Sequence, residues 1–310
     1  MFFGGIMSWI AFFLIITSAA LHASWNLLAK KYHMTLPFYA VICSTAMLMW
    51  VHAQFWTPAP IWTGMPWQFW ASLAGSVLSD SLLYCGGLVM AYRLMDMSSA
   101  YPMMRSLPLL LTVAVTALFG MGKELSCLAV AGMVLVFLGC SCMQLKKFSD
   151  FNWRNYWSKN MFFILLTACG TTGYTVFDSL CQQIMGKAVE TLDISKPVLS
   201  ISYYSTRGVV LSSTLLSLAL LIPRQRKHFF EMWKECKWAP FLAGIFASLT
   251  YVLVLISMNY VDNVSYVQVF RQLGLIIGLL AGIFILKEKG TLPKYIGVAL
   301  IVSGLILSVL

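Results

Sequence analysis

The chain has 310 residues, is 60% hydrophobic and only 10% charged, and carries a formal net charge of +10; its mean hydropathy is +0.80. Charges this sparse cannot cover a soluble domain of that length, which excludes the usual water-soluble classes. The positive excess is read as cytoplasmic loops facing anionic lipid, with no nucleic-acid partner expected.

Taken in chain order, five apolar segments of membrane-spanning length come first: Ser8–Lys30, Thr35–Gln54, Trp67–Tyr92, Ser98–Phe119 and Leu125–Gln144. A polar, aromatic linker, Leu145–Asn160, holds Lys146, Lys147, Asp150, Arg154 and Lys159. Five more segments follow: Met161–Met185, Val198–Ile222, Trp238–Tyr260, Val264–Leu286 and Leu292–Leu310. Lipid offers no partner to a free backbone N–H or C=O, and long unbroken apolar runs are not barrel strands, so ten transmembrane helices are predicted. The first run has no basic residues before it and no clear small-residue cleavage site after it, and reads as a retained helix.

One passage occurs twice. Asp96, Ser99, Arg105, Leu107 and Leu109 recur without a gap as Asp262, Ser265, Arg271, Leu273 and Leu275. Each copy runs on to a Lys-Glu pair, Lys123-Glu124 or Lys287-Glu288, and then to an apolar segment with an embedded glycine, Gly132 or Gly297. The predicted domains are therefore two five-helix repeats, 1–150 and 151–310. An odd number of spans per repeat makes the second enter from the opposite side, an inverted repeat around a central cavity, the arrangement that supports alternating access. Lys and Arg cluster after odd-numbered spans, from Lys30 to Lys294, while only Lys123, Lys187 and Lys196 follow even-numbered ones. The positive-inside rule then places both termini outside, in what is expected to be a bacterial inner (cytoplasmic) membrane.

Ionisable residues in mid-membrane are costly and face a cavity or a partner. Here they are Asp80, Arg105, Asp178, Arg207 and Arg271. Arg105 and Arg271 occupy matching places in the repeat and could offer planar guanidinium forks to a carboxylate or phosphate, or could each pair with Asp80 or Asp178. Arg207 lies on the seventh span and is the least favoured of the three for contact with a substrate. Asp80 and Asp178 are either proton carriers or permanent counter-ions. Three arginines against two aspartates leave a positive excess when all are ionised, which favours an anionic or zwitterionic cargo. His22, Trp25 and Asn26, at i, i+3 and i+4, form one helix face that is either a cavity lining or an interhelical clamp. Tyr84, Tyr101, Tyr174, Tyr251 and Tyr266 recur in helices bordering the expected cavity, with Tyr203 and Tyr204 beside them, as ordinary packing or as a cation cage. Gln268 precedes Arg271 by three residues and shares its face. Glu124 and Glu288 are read as turn or helix-start residues, and Pro102 and Pro108 as a kink in the fourth span. The eight cysteines form no Cys-x-x-Cys and the four histidines have no ligand spacing, so neither a metal nor a cofactor is expected.

The doubled arginine helix, the stretches His22-Ala23-Ser24-Trp25-Asn26 with Lys30 and Arg271-Gln272 through Leu286-Lys287-Glu288, and the weaker Thr171-Thr172-Gly173-Tyr174 with Asp178 resemble the drug/metabolite transporter superfamily, EamA type. The resemblance covers essentially the whole chain. It implies a basket of ten helices around a central cavity and a small-metabolite cargo, and does not identify that cargo. Many members place basic residues near the termini and in even loops. This chain does the reverse, which implies insertion the other way up or a span count off by one.

The expectation is a membrane transporter and not an enzyme. It moves a small polar metabolite, amino-acid-like or an organic anion, by alternating access, with Asp80 or Asp178 as the route for any coupling proton. The partners are the small-molecule substrate and the lipid bilayer, and ten spans suffice for a working monomer. The alternatives are a carrier for organic cations such as quaternary amines, a lipid-carrier flippase, and a non-transporting scaffold or receptor.

Overall fold

The computed structural model describes residues 7–32, 35–94, 97–143, 145, 147–151, 161–190, 192, 194–277 and 290–309. The first half holds α1 (Trp9–Lys31), α2 (Leu36–Trp50, continued as a 3₁₀ turn Val51–Trp56), the short α3 (Ala59–Thr63), α4 (Trp67–Leu78), α5 (Cys85–Leu94), α6 (Met97–Leu118) and α7 (Cys127–Cys142). The second holds α8 (Met161–Ala188), α9 (Lys196–Leu221), α10 (Pro223–Cys236), α11 (Ala239–Met258), α12 (Val264–Phe270) and α13 (Leu292–Leu307). No strand is named among the described residues, so the fold is all-α. Five helical stretches are long and apolar enough to cross a membrane: 36–56, 67–91, 161–188, 196–221 and 239–258. Shorter apolar helices cover 9–22, 104–118, 127–142, 264–277 and 292–307.

Three elements depart from the sequence reading. The third predicted span is not a uniform α-helix: Ser79–Tyr84 is a π-helical segment joining α4 to α5. The ninth is not a uniform α-helix: α12 ends at Phe270, and Arg271 and Gln272 form a tightened turn before the helical run goes on to residue 277. There the backbone tightens from i−4 to i−3 bonding, Gln272 N to Val269 O at 3.0 Å and Gly274 N to Arg271 O at 3.2 Å. Residues 223–236, between the seventh and eighth predicted spans, form helix α10, which turns Met232 and Cys236 inward and packs Phe229 and Trp233 on the core. The linker 152–160, the Lys287-Glu288 pair and Gly278 and Gly282 lie outside the described residues.

The helices pack in a regular pattern. α1 runs along α11, α4 along α8, α2 against α9 and α11, α6 against α8, and α7 against α13. The α7–α13 contact is made by glycines facing each other's backbone. A Cβ on Gly139 would stand 2.6 Å from Gly297 O, and one on Gly304 2.5 Å from Gly132 O, so a side chain at any of these would push the helices apart. α7 starts at Ser126, whose Oγ accepts from Ala129 N at 3.0 Å; Glu124 lies before that cap and does not supply it. Three apolar clusters fill the interior, around Phe38 and Leu215, around Ile15, Leu109 and Ile301, and around Phe69 and Leu255. Large apolar side chains such as Phe13, Leu48, Leu118, Phe162 and Leu242 are exposed on the outside, as a lipid-facing surface requires.

At one end of the molecule the chain start meets two turns. Ser8 N donates to Tyr260 O at 3.2 Å, and Lys123 N donates to Asp262 O at 3.0 Å. Asn263 Nδ2 donates to Met121 O (3.2 Å) and Lys123 O (3.1 Å), while its Oδ1 caps α12 by accepting from Ser265 N at 2.9 Å.

Candidate functional site

The inward face of α9 carries Tyr203, Tyr204, Arg207 and Leu211, spaced as one helical stripe, and all four are buried. Burying a guanidinium is unfavourable unless it is paired and hydrogen-bonded. Arg207 meets that requirement with two carboxylates. Its Nη2 lies 2.7 Å from Asp80 Oδ2 and its Nε 3.1 Å from Asp178 Oδ1. Asp80 sits in the π segment, where the wider turn re-aims one side chain relative to a regular helix. That segment fits because α8 presents Gly170 to it, where a Cβ would stand 2.8 Å from Ser79 O. Asp80 also accepts from Tyr39 Oη at 2.7 Å. Asp178, on α8, accepts from Tyr203 Oη at 2.5 Å, from Tyr251 Oη and from Ser76 Oγ, while Ser76 in turn accepts from Arg207 Nε at 2.8 Å. The rings of Tyr174 and Tyr251 lie 5.7 and 5.3 Å from the Arg207 guanidinium carbon.

The other two arginines are placed differently. Arg105 Nη2 donates to the main-chain oxygen of Arg271 at 2.8 Å, at the tightened turn in the ninth apolar segment. Gln272 Nε2 returns a bond to Arg105 O at 3.1 Å. Gln268 Nε2 donates to Thr175 Oγ1 at 2.6 Å. Arg105, Arg271, Gln268 and Gln272 converge with His22 on a central cavity of about 40 Å³. Among the described residues neither Arg105 nor Arg271 has a carboxylate within 4.0 Å, and Arg105 Nε is buried with no hydrogen-bond acceptor. A second cavity of about 80 Å³ adjoins the first: both are lined by His22, Tyr84, Tyr174 and Arg271, and the second adds Trp25, Tyr39, Asp80, Tyr204, Arg207 and Tyr251. A larger hollow of about 590 Å³ opens near the turns that meet the chain start, lined by Gln182, Lys187, Lys196, Asn259 and Asp262 among others.

Of the residues expected to contact a substrate, His22, Trp25, Tyr84, Arg105, Tyr174, Tyr251, Gln268 and Arg271 all line one or both central cavities. Trp25 Nε1 donates to His22 Nδ1 at 3.1 Å, a bond within α1 that holds the two cavity-lining side chains together. Tyr266 is not brought to them; it is buried in the apolar cluster with Leu109 and Ile301. The side chains of Asn26 and Tyr101 lie outside the described residues. Asp80 and Asp178 pair with Arg207 and with neither repeat arginine. Sequence reasoning set Arg207, Tyr39, Tyr204 and Ser76 aside or missed them. A signal existed for the first and third, since Tyr203, Tyr204 and Arg207 fall on one face of a helix with Ser200 and Leu211. Among the described residues no group of histidine, cysteine and acidic side chains could hold a metal ion.

Five membrane-length apolar helices around a charged interior define an integral membrane protein. Residues 188–310 match the EamA-like transporter family, which bears out the resemblance to the drug/metabolite transporter superfamily. No curated protein matches the chain by sequence. Among solved structures, one described only as "Crystal structure of protein" is similar in fold, with a TM-score of 0.65 at 15% identity, covering 96% of this chain and 95% of that one.

Proposed function

We propose that the protein is a secondary-active transporter that carries a small metabolite bearing an anionic group by alternating access, with Arg271 and Arg105 holding that group. One observation carries the reading: two guanidiniums share a central cavity without a carboxylate in reach among the described residues, while the third interior arginine has two. Arginine left unpaired beside a cavity in a membrane interior is poised for an incoming carboxylate or phosphate, which it can grip through two parallel hydrogen bonds. The tightened helical turn at Arg271 lies on the same site, since Arg271 and Gln272 both line the cavity.

The helix contacts favour ten spans in two inverted five-helix repeats, 1–150 and 151–310. The first span of each half packs on the third span of the other, α1 on α11 and α8 on α4. The second spans pack on each other (α2 with α9), and so do the fifth (α7 with α13). A two-fold relation between halves produces this pattern of exchanged and self-paired contacts. Small central cavities beside one large open hollow accord with a cycle whose central site is closed off in turn from each side. The pairing of Asp80 and Asp178 with Arg207 supports a counter-ion role for both over proton carriage.

Solute uptake by the purified protein in liposomes tests the reading. Counterflow of a carboxylate or phosphate compound, lost in Arg271→Gln, is the expected result; binding without flux would make the protein a receptor or scaffold.

A further inference from the structure

Helix α10 is held at the level where two membrane-length helices end. α9 runs to Leu221 and α10 starts at Pro223; α10 ends at Cys236 and α11 starts at Ala239. Joints this short leave no slack for the helix to stand off into water. Its inner face is anchored as well, since Met232 and Cys236 are buried in the cluster with Phe38 and Leu215. Leu221 before it and Trp238 after it are exposed, as residues that touch lipid are. The outer face of α10 sets cations around an aromatic ring. Arg226, Phe230 and Lys234 stand at i, i+4 and i+8 with Lys227 beside them, and all four are exposed, Phe230 by 60%. Over 223–237 the cations Arg224, Arg226, Lys227, Lys234 and Lys237 stand against Glu231 and Glu235. Glu231 lies 3.9 Å from Lys227 and 3.1 Å from His228, and among the described residues neither Arg226 nor Lys234 has a carboxylate within 4.0 Å. A shallow hollow of about 420 Å³ on the outer side of α9 reaches the same joint, where Ser213, Thr214 and Ser217 lie beside Leu218, Leu221 and Ile222.

We propose that the outer face of α10 and the adjoining strip of α9 form a binding surface for anionic phospholipid, independent of the cargo site. Arg226, Lys227 and Lys234 face the headgroup phosphates, and Phe230 sits among the upper acyl carbons. A helix with exposed aromatics and an excess of Lys and Arg, fixed at the membrane boundary, has the composition that attracts negatively charged headgroups. Neutral lipid would leave the cations without a complement. An acidic protein segment would match the charges, but not the apolar and hydroxyl-lined hollow on the lipid side of α9.

The test counts the lipids that the purified full-length protein retains in native mass spectrometry, after equilibration in detergent with equal amounts of phosphatidylglycerol and phosphatidylcholine. The expected result is that the wild type prefers phosphatidylglycerol about tenfold or more, and that Arg226→Gln combined with Lys234→Gln cuts that preference at least about fivefold, the scale set by cations beside an anionic surface. Phe230→Ser lowers the number of phosphatidylglycerol molecules retained. Lys123→Gln combined with Lys187→Gln, which removes two exposed cations remote from α10, leaves the preference as it is. Equal retention of the two lipids by the wild type, or a preference that survives Arg226→Gln with Lys234→Gln, overturns the proposal. So does an equal loss in Lys123→Gln with Lys187→Gln, because net charge and not this face would then set the preference. If glycerol 3-phosphate displaces phosphatidylglycerol at equal concentration, the face reads a soluble phosphate and the lipid assignment falls.

Discussion

Arg207 and Arg271 are both nearly buried, at 3% and 6% exposure, yet their surroundings assign them opposite tasks. Removing Arg207 strands two buried carboxylates; removing Arg271 strands none among the described residues. Arg207→Gln is therefore expected to destabilise the protein by about 3–5 kcal/mol, the cost of leaving a buried charge without its partner. Arg271→Gln should change stability by no more than about 1 kcal/mol while removing ligand binding. Thermal unfolding in detergent, read beside a binding assay, separates the two; equal melting losses in both variants would contradict the division of labour. At the turn-rich end, Asn263 and Lys123 offer a similar contrast. Asn263 is buried with three hydrogen bonds to main-chain groups, whereas Lys123 and Asp262 pair at 3.3 Å with 70% and 35% of their side chains exposed. Asn263→Ala should cost about 1–3 kcal/mol and Lys123→Ala under about 1 kcal/mol, measured the same way.

Helix contacts set by glycine give the next prediction. Gly304 of α13 lies against the backbone of Gly132 and Val136, while Gly86 of α5 has nothing within 4 Å of an added Cβ. Gly304→Val should lower the melting temperature and the yield of folded protein, and Gly86→Ala should leave both intact. The five membrane-length helices were legible in the sequence, because hydropathy reports what lipid demands and those apolar runs carry it plainly. The tightened turn at Arg271 was not: Phe270, Arg271, Gln272 and Leu273 contain neither proline nor glycine, and the main-chain oxygen of Arg271 is engaged by Arg105, 166 residues away. The π segment at Asp80 is hidden for the same reason, since the glycine that makes room for it, Gly170, belongs to another helix. Helix α10 had a readable signal. Phe229, Met232, Trp233 and Cys236 fall at i, i+3, i+4 and i+7, but a reading by hydropathy alone passes over a short amphipathic helix rich in Arg and Lys. Doubling of the arginine passage pointed to Arg105 and Arg271 as a pair, and the cavity brings them together. It could not show which arginine the aspartates would choose, because Asp80 and Asp178 lie 127 and 29 residues from Arg207 and only packing joins them.

For the whole molecule, the proposed ten-span topology and the distribution of Lys and Arg place both termini outside. A C-terminal phosphatase fusion should then be active and a C-terminal GFP fusion dark; a fluorescent GFP fusion would reverse the orientation. In that topology the chain start and the turns at 119–126 and 259–263 all lie on the outer face, which matches their meeting at one end of the molecule. The larger hollow, of about 590 Å³, would open on that side as well. The account depends most on the Arg271–Arg105 cavity being where cargo binds. The most direct measurement is a thermal-shift screen of amino acids, organic and phosphorylated anions and quaternary amines on the wild type and Arg271→Gln in parallel. The account predicts that a carboxylate or phosphate compound stabilises the wild type and not the variant. Stabilisation by cations alone, equal in both proteins, would contradict it.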